Sequence, residues 1–476
     1  MENQKKTLTF WKMVTYSAGI FGIQLLIGCV NVYQSQFYTS VLNANLMTCA
    51  VIILGAKIIS SLADPVIGNI IDRSNFKSGK MKPFVAMSIV PFAVFTALLF
   101  IAFDFKSDFS KYTYITVTSV LWNMVMSFAD IPSQGMLAVI SPSSEEKNAC
   151  AGFSNTLKSL GLVACNGIVP VVCVLTDSAV ITKKEYMISV IVMGVMATAL
   201  VALMLGTTKE VVKSEPQKMS IKGMFNEMKD NKPLLIIFLV NMLGFGRNIA
   251  VAIGVQAAAV LFDETTVNIG SFSITLAGEN LPLILGLGAA IPSSLSVLLI
   301  PWISKKIGYK RAFMIFGVYG VVASVLVYIL FVTSPADGFW RSVIGILLMQ
   351  FITNFMFGPH GYTPMVMLSD AVDYREMTTG KRTEGTQYSV LCLSIKLANA
   401  FSVATGVFLV GLSGYTGTMT FADVTPHMQN VVLCAYYLIP GICVLLSMLP
   451  MIFYKLDTPE IQKQIREFVA KRDAAK

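Results

Sequence analysis

Charge is scarce in this chain. Only 13% of its 476 residues are Asp, Glu, Lys or Arg, where soluble proteins carry about 25%. That deficit excludes a soluble globular protein. With 55% hydrophobic residues, it places the bulk of the chain in a membrane. Histidine is nearly missing, and His360 and His427 cannot form a metal site by themselves. The cysteines at 29, 49, 150, 165, 173, 392, 434 and 443 lie almost all in apolar runs, with no metal or redox spacing between any two. They read as small buried hydrophobes. There is no nucleophile elbow and no phosphate loop, and no soluble segment large enough to relay a signal. An enzyme or a sensor is therefore the remotest alternative, and no cofactor is expected.

A net charge of +9 suggests a nucleic-acid partner, but the placement of the charges argues against one. Lys and Arg sit mainly in short connections between apolar runs, as the residues that orient a membrane chain do. No cleavable leader is visible. Lys5, Lys6 and Lys12 precede an apolar run that is too long for one and carries Gln24, Asn31 and Gln34, so a first transmembrane helix is expected there.

A span needs about 20 apolar residues. That ruler predicts twelve, at 13–39, 44–71, 81–103, 112–139, 148–175, 186–208, 232–262, 279–303, 311–333, 340–368, 384–413 and 427–455. The expected architecture is an all-α membrane protein of two pseudo-symmetric six-helix bundles, 1–208 and 232–456. A linker at 209–231 joins them, and a short amphipathic helix at 457–476 follows Thr458-Pro459-Glu460. The basic turn at Asp72–Lys82, after the second span, recurs as Ser304–Arg311 after the eighth, a weak internal repeat. With the termini and even connections on one side, that side holds 27 of the 36 Lys and Arg, the odd connections five and the spans four. Both termini are expected in the cytoplasm, in a multi-pass plasma (inner) membrane protein with membrane lipids as neighbours.

Polar residues inside spans mark candidate sites, because a charge at membrane depth costs about 2.5–3.5 kcal/mol even on the lenient insertion scale. The second span carries Lys57, Ser60 and Asp64 on one face, with Asp64 a proton or cation site or a carboxylate pinned by packing. The fourth carries Asn123, Ser127, Asp130 and Gln134 in one stripe. A carboxylate accepts from two hydroxyls at once, which suits a polyol, and amides both donate and accept; the other reading of the stripe is interhelical packing. Span one adds Gln24, Asn31 and Ser35; span five Asn155, Lys158 and Asn166; span seven Asn241, Arg247 and Asn248; span ten Gln350, Asn354 and His360; span eleven Gln387, Lys396 and Asn399. Lys396 needs a partner, with Asp64 and Asp130 the candidates.

Asp64-Pro65-Val-Ile-Gly68, Asp72-Arg73-Ser74 and Gly79-Lys80-Met81-Lys82-Pro83 together resemble the second-helix signature of the glycoside–pentoside–hexuronide:cation symporters, the melibiose permease-like family of the major facilitator superfamily. Ala129-Asp130-Ile131-Pro132 resembles its fourth-helix motif. Asp370 to Glu376, followed by Thr379-Gly380-Lys381-Arg382-Thr383-Glu384-Gly385, resembles its connection into helix eleven. The resemblance implies two bundles about a central cavity, alternating access, and cation-coupled symport of a glycoside, sugar or sugar acid by a monomer. It implies a cation site with two helix-two acids, an asparagine and a helix-four hydroxyl. Here these positions hold Ser60, Asp64, Ala63 and Ser127, which favours a proton over a sodium ion at Asp64 and Ser127. Of the sugar ligands only Asp130 is retained, with Gln24, Gln134 and Asn155 at or near the other positions, and Lys396 matches the family's helix-eleven lysine. Asp72, Arg73, Asp370, Asp373, Arg382 and Glu384 are the expected cytoplasmic gate. Because the sugar ligands are depleted, an amphiphilic or lipid-like solute is the alternative cargo.

Overall fold

The computed structural model describes residues 8–74, 76, 78–141, 144–176, 178, 181–211, 221–262, 265–269, 272–276, 281–335, 338–380, 384–417, 419 and 421–474. The chain divides into two compact units. The first is Met1–Lys218 with Ala277–Leu283 and Thr416–Met419; the second is Met219–Leu276, Ile284–Tyr415 and Thr420–Lys476.

The first unit is built from α1 (Phe10–Ser40), α2 (Leu46–Arg73), α3 (Lys82–Leu99), α4 (Asp108–Val139), α5 (Ser144–Leu175) and α6 (Lys183–Thr207). Starts are set by side-chain caps, which satisfy the amides a first turn leaves orphaned. Asn45 Oδ1 accepts from Met47 and Thr48 N–H at the head of α2, and Thr182 and Glu185 form a capping box on α6. α1 is buried along most of its length. Its backbone touches α5, where a Cβ on Gly161 would stand 2.7 Å from the Phe21 carbonyl oxygen. Small residues drive such close contact in membranes, where apolar area alone gives no preference for protein over lipid. Phe37, Phe100 and Tyr186 form an aromatic cluster with ring centroids 5.2–5.9 Å apart.

The second unit begins with α7 (Ile221–Asp230) and α8 (Lys232–Leu243), then a 3₁₀ turn at Phe245–Asn248, α9 (Ile249–Ala252) and α10 (Gly254–Leu261). A short antiparallel hairpin follows, β1 (Thr265–Ile269) and β2 (Phe272–Leu276), with Ile269 opposite Phe272. Then come α11 (Leu281–Ile307), α12 (Tyr309–Thr333), α13 (Val343–Asn354), α14 (Phe357–Thr379), α15 (Glu384–Leu412), α16 (Pro426–Leu433), a π turn at Cys434–Leu438, α17 (Ile439–Ile452) and α18 (Pro459–Ala474). α7 is amphipathic, and its Met224 and Met228 join a core with Leu234, Phe313, Leu368 and Met451. Arg375 fixes its end, with Nε 3.2 Å from Glu227 Oε1 and Nη1 donating to the Asp230 carbonyl.

Among the described residues nine helices are long and apolar enough to cross a membrane, ten with the bent pair Lys232–Leu243 and Phe245–Ala252. α11 and the α13–α14 pair occupy the eighth and tenth expected spans. The all-α class therefore holds, with one hairpin added in a connection. Spans seven and ten, expected as continuous, are broken, while the twelfth runs unbroken from Pro426 to Ile452. The seventh bends by 44° beside Gly244 and Gly246. In the tenth, Pro359 has no N–H for the Phe355 carbonyl, and the helix resets between α13 and α14. In the twelfth, Pro440 cannot bond the Tyr436 carbonyl, and a π turn takes up the slack. The outward faces are apolar: on α12, Ile315, Val318, Val322 and Ile329 are all at least half exposed. In water that stripe would be an aggregation hazard; in a bilayer it is the solvent-facing side.

Candidate transport site

In the first unit α2 and α4 meet through hydroxyls. Ser60 Oγ and Ser127 Oγ lie 3.1 Å apart, and both bond the Asn123 carbonyl, at 3.1 and 3.3 Å. The Asn123 amide is itself spent on the Ser119 carbonyl of its own helix. Ser60, Ser127 and Asn123 are buried. Asp64 stands one turn beyond Ser60 on the same face and is half-buried. Pro65 follows it and frees the Ser61 carbonyl from the helical ladder. Lys57, one turn before, donates to Asn31 Oδ1 of α1 at 2.9 Å.

Further along α4, Gln134 Nε2 donates to Asp130 Oδ2 at 2.8 Å. Asp130 is half-buried and Gln134 exposed. Pro132 frees the Phe128 carbonyl here, so each span-borne acid of this unit precedes a proline by one or two residues. Tyr16 of α1 donates to the Ser133 carbonyl at 2.9 Å and holds this turn in place. Gln24 of α1 is half-buried, with its Cβ beside Gly161 of α5; Asn155 of α5 is exposed and Lys158 half-buried.

In the second unit the span-borne groups are cations and amides. Arg247 lies in the 3₁₀ turn of the broken span and donates to the His360 carbonyl at 3.3 Å and to Asn241 Oδ1 at 3.4 Å. Gln350 Nε2 donates to the Tyr436 hydroxyl, and Asn354 Nδ2 to Gln350 Oε1. Lys396 is half-buried and Gln387 buried on α15. Of the expected gate residues, Arg73 is exposed in the last turn of α2. Asp370 accepts from Gln462 of α18 at 2.8 Å, and Asp373 is half-buried near the end of α14. Arg382 and the side chains of Asp72 and Glu384 lie outside the described residues.

Two acids that the sequence reading passed over hold the basic turns. Glu210 follows α6, and its carboxylate accepts from the backbone N–H of Lys80, Met81 and Lys82, each at 2.8 Å, at the head of α3. Lys82 Nζ donates back to the Thr208 carbonyl. Asp457 follows α17 and accepts from Tyr309 and Lys310 N–H, at 3.2 and 3.0 Å, at the head of α12. Lys310 Nζ donates to the Ile452 and Tyr454 carbonyls. A negative charge at a helix N-terminus is favoured by the aligned peptide dipoles as well as by its hydrogen bonds. Burial nevertheless pushes the Asp457 carboxyl above its ordinary pKa of 3.8, against the Lys310 and Tyr309 amides and the nearby Lys310 and Arg311 charges. Gly79 and Gly308 complete the pair, with φ of +111° and +88°. A Cβ on either would stand 2.4 Å from the anchoring carboxyl group. The signal was present in the sequence: one acid ends each half, opposite the turn that repeats.

The sequence model of the family described as MFS/sugar transport protein matches residues 15–458. The chain belongs to that family. This membership makes it a multi-pass membrane protein of the major facilitator fold, in a family of transporters. Among its relatives, it is 25% identical to the isoprimeverose transporter of Lactiplantibacillus pentosus, over 96% of this chain and 91% of that one. It is 24% identical to the glucuronide carrier protein homolog of Escherichia coli, over 98% and 96%. An uncharacterized symporter of Bacillus subtilis, YnaJ, is 24% identical over 98% and 96%. Among solved structures, a bacterial homolog of the human lysosomal transporter Spinster, inward-facing and unoccupied, superposes with a TM-score of 0.66 at 10% identity, over 94% of this chain and 98% of that one. The nucleoside transporter NupG (D323A mutant) superposes at 0.62 and 12%, over 93% and 100%. At those identities the likeness is one of fold.

Proposed function

We propose that this family member is a secondary active symporter that takes up a glycoside, sugar or sugar acid by alternating access. We propose proton coupling at Asp64, ahead of sodium, and cytoplasmic termini. The relatives named for isoprimeverose and for a glucuronide support a sugar-derived cargo. The observation that carries the ion preference is the donor set beside Asp64: Ser60 and Ala63 stand where the family resemblance calls for a second acid and an asparagine. A sodium ion needs several oxygens at once, and this set offers one carboxylate and the two hydroxyls Ser60 and Ser127, with Lys57 on the same helix face, which leaves Asp64 as the group that takes up charge. Asp130, oriented by Gln134, is the proposed sugar ligand, with Gln24, Asn155, Gln387, Lys396 and Asn123 as further lining. Asp72, Arg73, Asp370, Asp373, Arg382 and Glu384 are proposed as gating residues.

The test is uptake of labelled isoprimeverose and a labelled β-glucuronide into vesicles holding the purified protein, under an imposed proton gradient, an imposed sodium gradient, or none. Uptake driven by the proton gradient alone is expected. Uptake driven only by sodium overturns the ion assignment, and no uptake of either solute overturns the sugar reading.

A further inference from the structure

At the basic end of the second unit, the α11–α12 turn and the start of α18 enclose a cavity of about 980 Å³. Lys305, Lys306, Lys310, Arg311 and Lys463 line it, against two carboxylates, Asp457 and Glu467. The carboxylates are engaged: Asp457 by the Tyr309 and Lys310 amides, Glu467 by Lys463 at 3.9 Å. Lys310 is engaged too, on the Ile452 and Tyr454 carbonyls. Among the described residues no carboxylate forms an ion pair with Lys305, Lys306 or Arg311, all exposed at the rim. Arg311 shares the Asp457 charge with Lys310, and Lys305 and Lys306 face no carboxylate among the described residues, so the five cations and two carboxylates of the lining leave a positive excess that favours an anion.

A second observation says which anion. Ile291, Leu295, Leu298 and Trp302 recur every three or four residues on α11 and are 45–74% exposed, one apolar stripe on its outer face. The stripe ends at Trp302, and one turn later come Lys305 and Lys306, with the Lys306 ammonium 4.2 Å from the indole centroid. Tryptophan marks the level of lipid headgroups, and basic pockets beside spans hold anionic ones. A free phosphate would use only the rim; a phospholipid uses the rim and the stripe.

We propose that this cavity binds the phosphate headgroup of an anionic phospholipid whose acyl chains lie along the Ile291–Trp302 face of α11. The proposal is independent of the transported solute. The purified full-length protein in neutral detergent is titrated with phosphatidylglycerol, phosphatidylcholine or inorganic phosphate, and the unfolding temperature is followed against concentration, since a ligand of the folded state raises it. Phosphatidylglycerol is expected to stabilise, and the other two to do nothing at the same concentration. K305Q/K306Q/R311Q is expected to weaken apparent affinity by about a hundredfold, each cation near a lipid surface being worth about fivefold. K183Q/K184Q, which removes charge in the first unit, is expected to leave it unchanged. Native mass spectrometry of K306Q alone, counting retained lipid, serves if the triple variant is unstable; fewer retained phosphatidylglycerols are expected. Equal stabilisation by inorganic phosphate, unchanged affinity in the triple variant, or an unchanged lipid count in K306Q overturns the proposal.

Discussion

The two units share one device and differ in another. Glu210 in the first and Asp457 in the second each follow the last span of their unit, cap the head of its third, and stand beside a glycine at positive φ. In each, a lysine of that helix head returns a bond to the backbone carbonyls just before the acid. Inside the spans the likeness stops. The first unit carries two carboxylates at membrane depth, Asp64 and Asp130, each next to a proline. The second carries none in the interior of its expected spans, and places Arg247 and Lys396 there with amides that bond one another. On the proposed function, what recurs in both halves holds the fold, and what occurs in one half only serves transport.

Asp130→Asn is expected to have the largest effect. A carboxylate's hydrogen bonds are worth about 1.5–3 kcal/mol each, so losing two weakens sugar binding a hundredfold or more, read by equilibrium binding, with thermal stability little changed. Gly79→Ala and Gly308→Ala are expected to cost about 1–3 kcal/mol of stability each through the strained backbone, more where the carboxyl group cannot move aside, and to leave sugar affinity alone in the folded fraction. Glu210→Gln is expected to cost about 1–3 kcal/mol, because the amide meets three N–H groups with one acceptor where the carboxylate offered two. Asp457→Asn, with two longer bonds, is expected to cost about 1 kcal/mol or less. Equal losses of transport and of stability in all of these would erase the distinction between recurring and single-unit residues.

Asp457 also makes a signed pH prediction. Its carboxyl titrates above 3.8 in the folded protein, because burial disfavours its charge. Between that value and the folded pKa the folded state binds more protons than the unfolded one. This contribution to stability is therefore present at low pH and lost as pH rises through the folded pKa. The unfolding midpoint of the unaltered protein should gain on that of Asp457→Asn as the pH falls from neutral toward 4. A gain in the opposite direction would show that the amide bonds, not burial, dominate at this site.

Much of the fold could be read from apolar length, because a bilayer forces every span into a helix. The breaks could not. A hydropathy reading sees that 232–262 is apolar; it does not see that Gly244 and Gly246 let the chain leave helical geometry, nor that Pro359 frees a carbonyl four residues back and the helix resets there. The hairpin at 265–276 left a trace in the β-branched run Thr265-Thr266-Val267 and in Ile274-Thr275, too short to stand out beside the spans. In the site, helical spacing alone placed Gln134 over Asp130 and put Ser60 and Asp64 on one face. It could not show that the Asn123 amide would donate to the Ser119 carbonyl of its own helix. Glu210 and Asp457 looked like linker acids because their partners lie 128–148 residues away along the chain.

The central claim is that Asp64 takes up the coupling proton while sugar binding resides elsewhere. Its most direct test is Asp64→Asn in vesicles, with accumulation against a gradient measured beside exchange of internal for external labelled sugar. Accumulation under a proton gradient should vanish while exchange persists near the unaltered rate. A variant that still concentrates its sugar under the proton gradient would contradict the account.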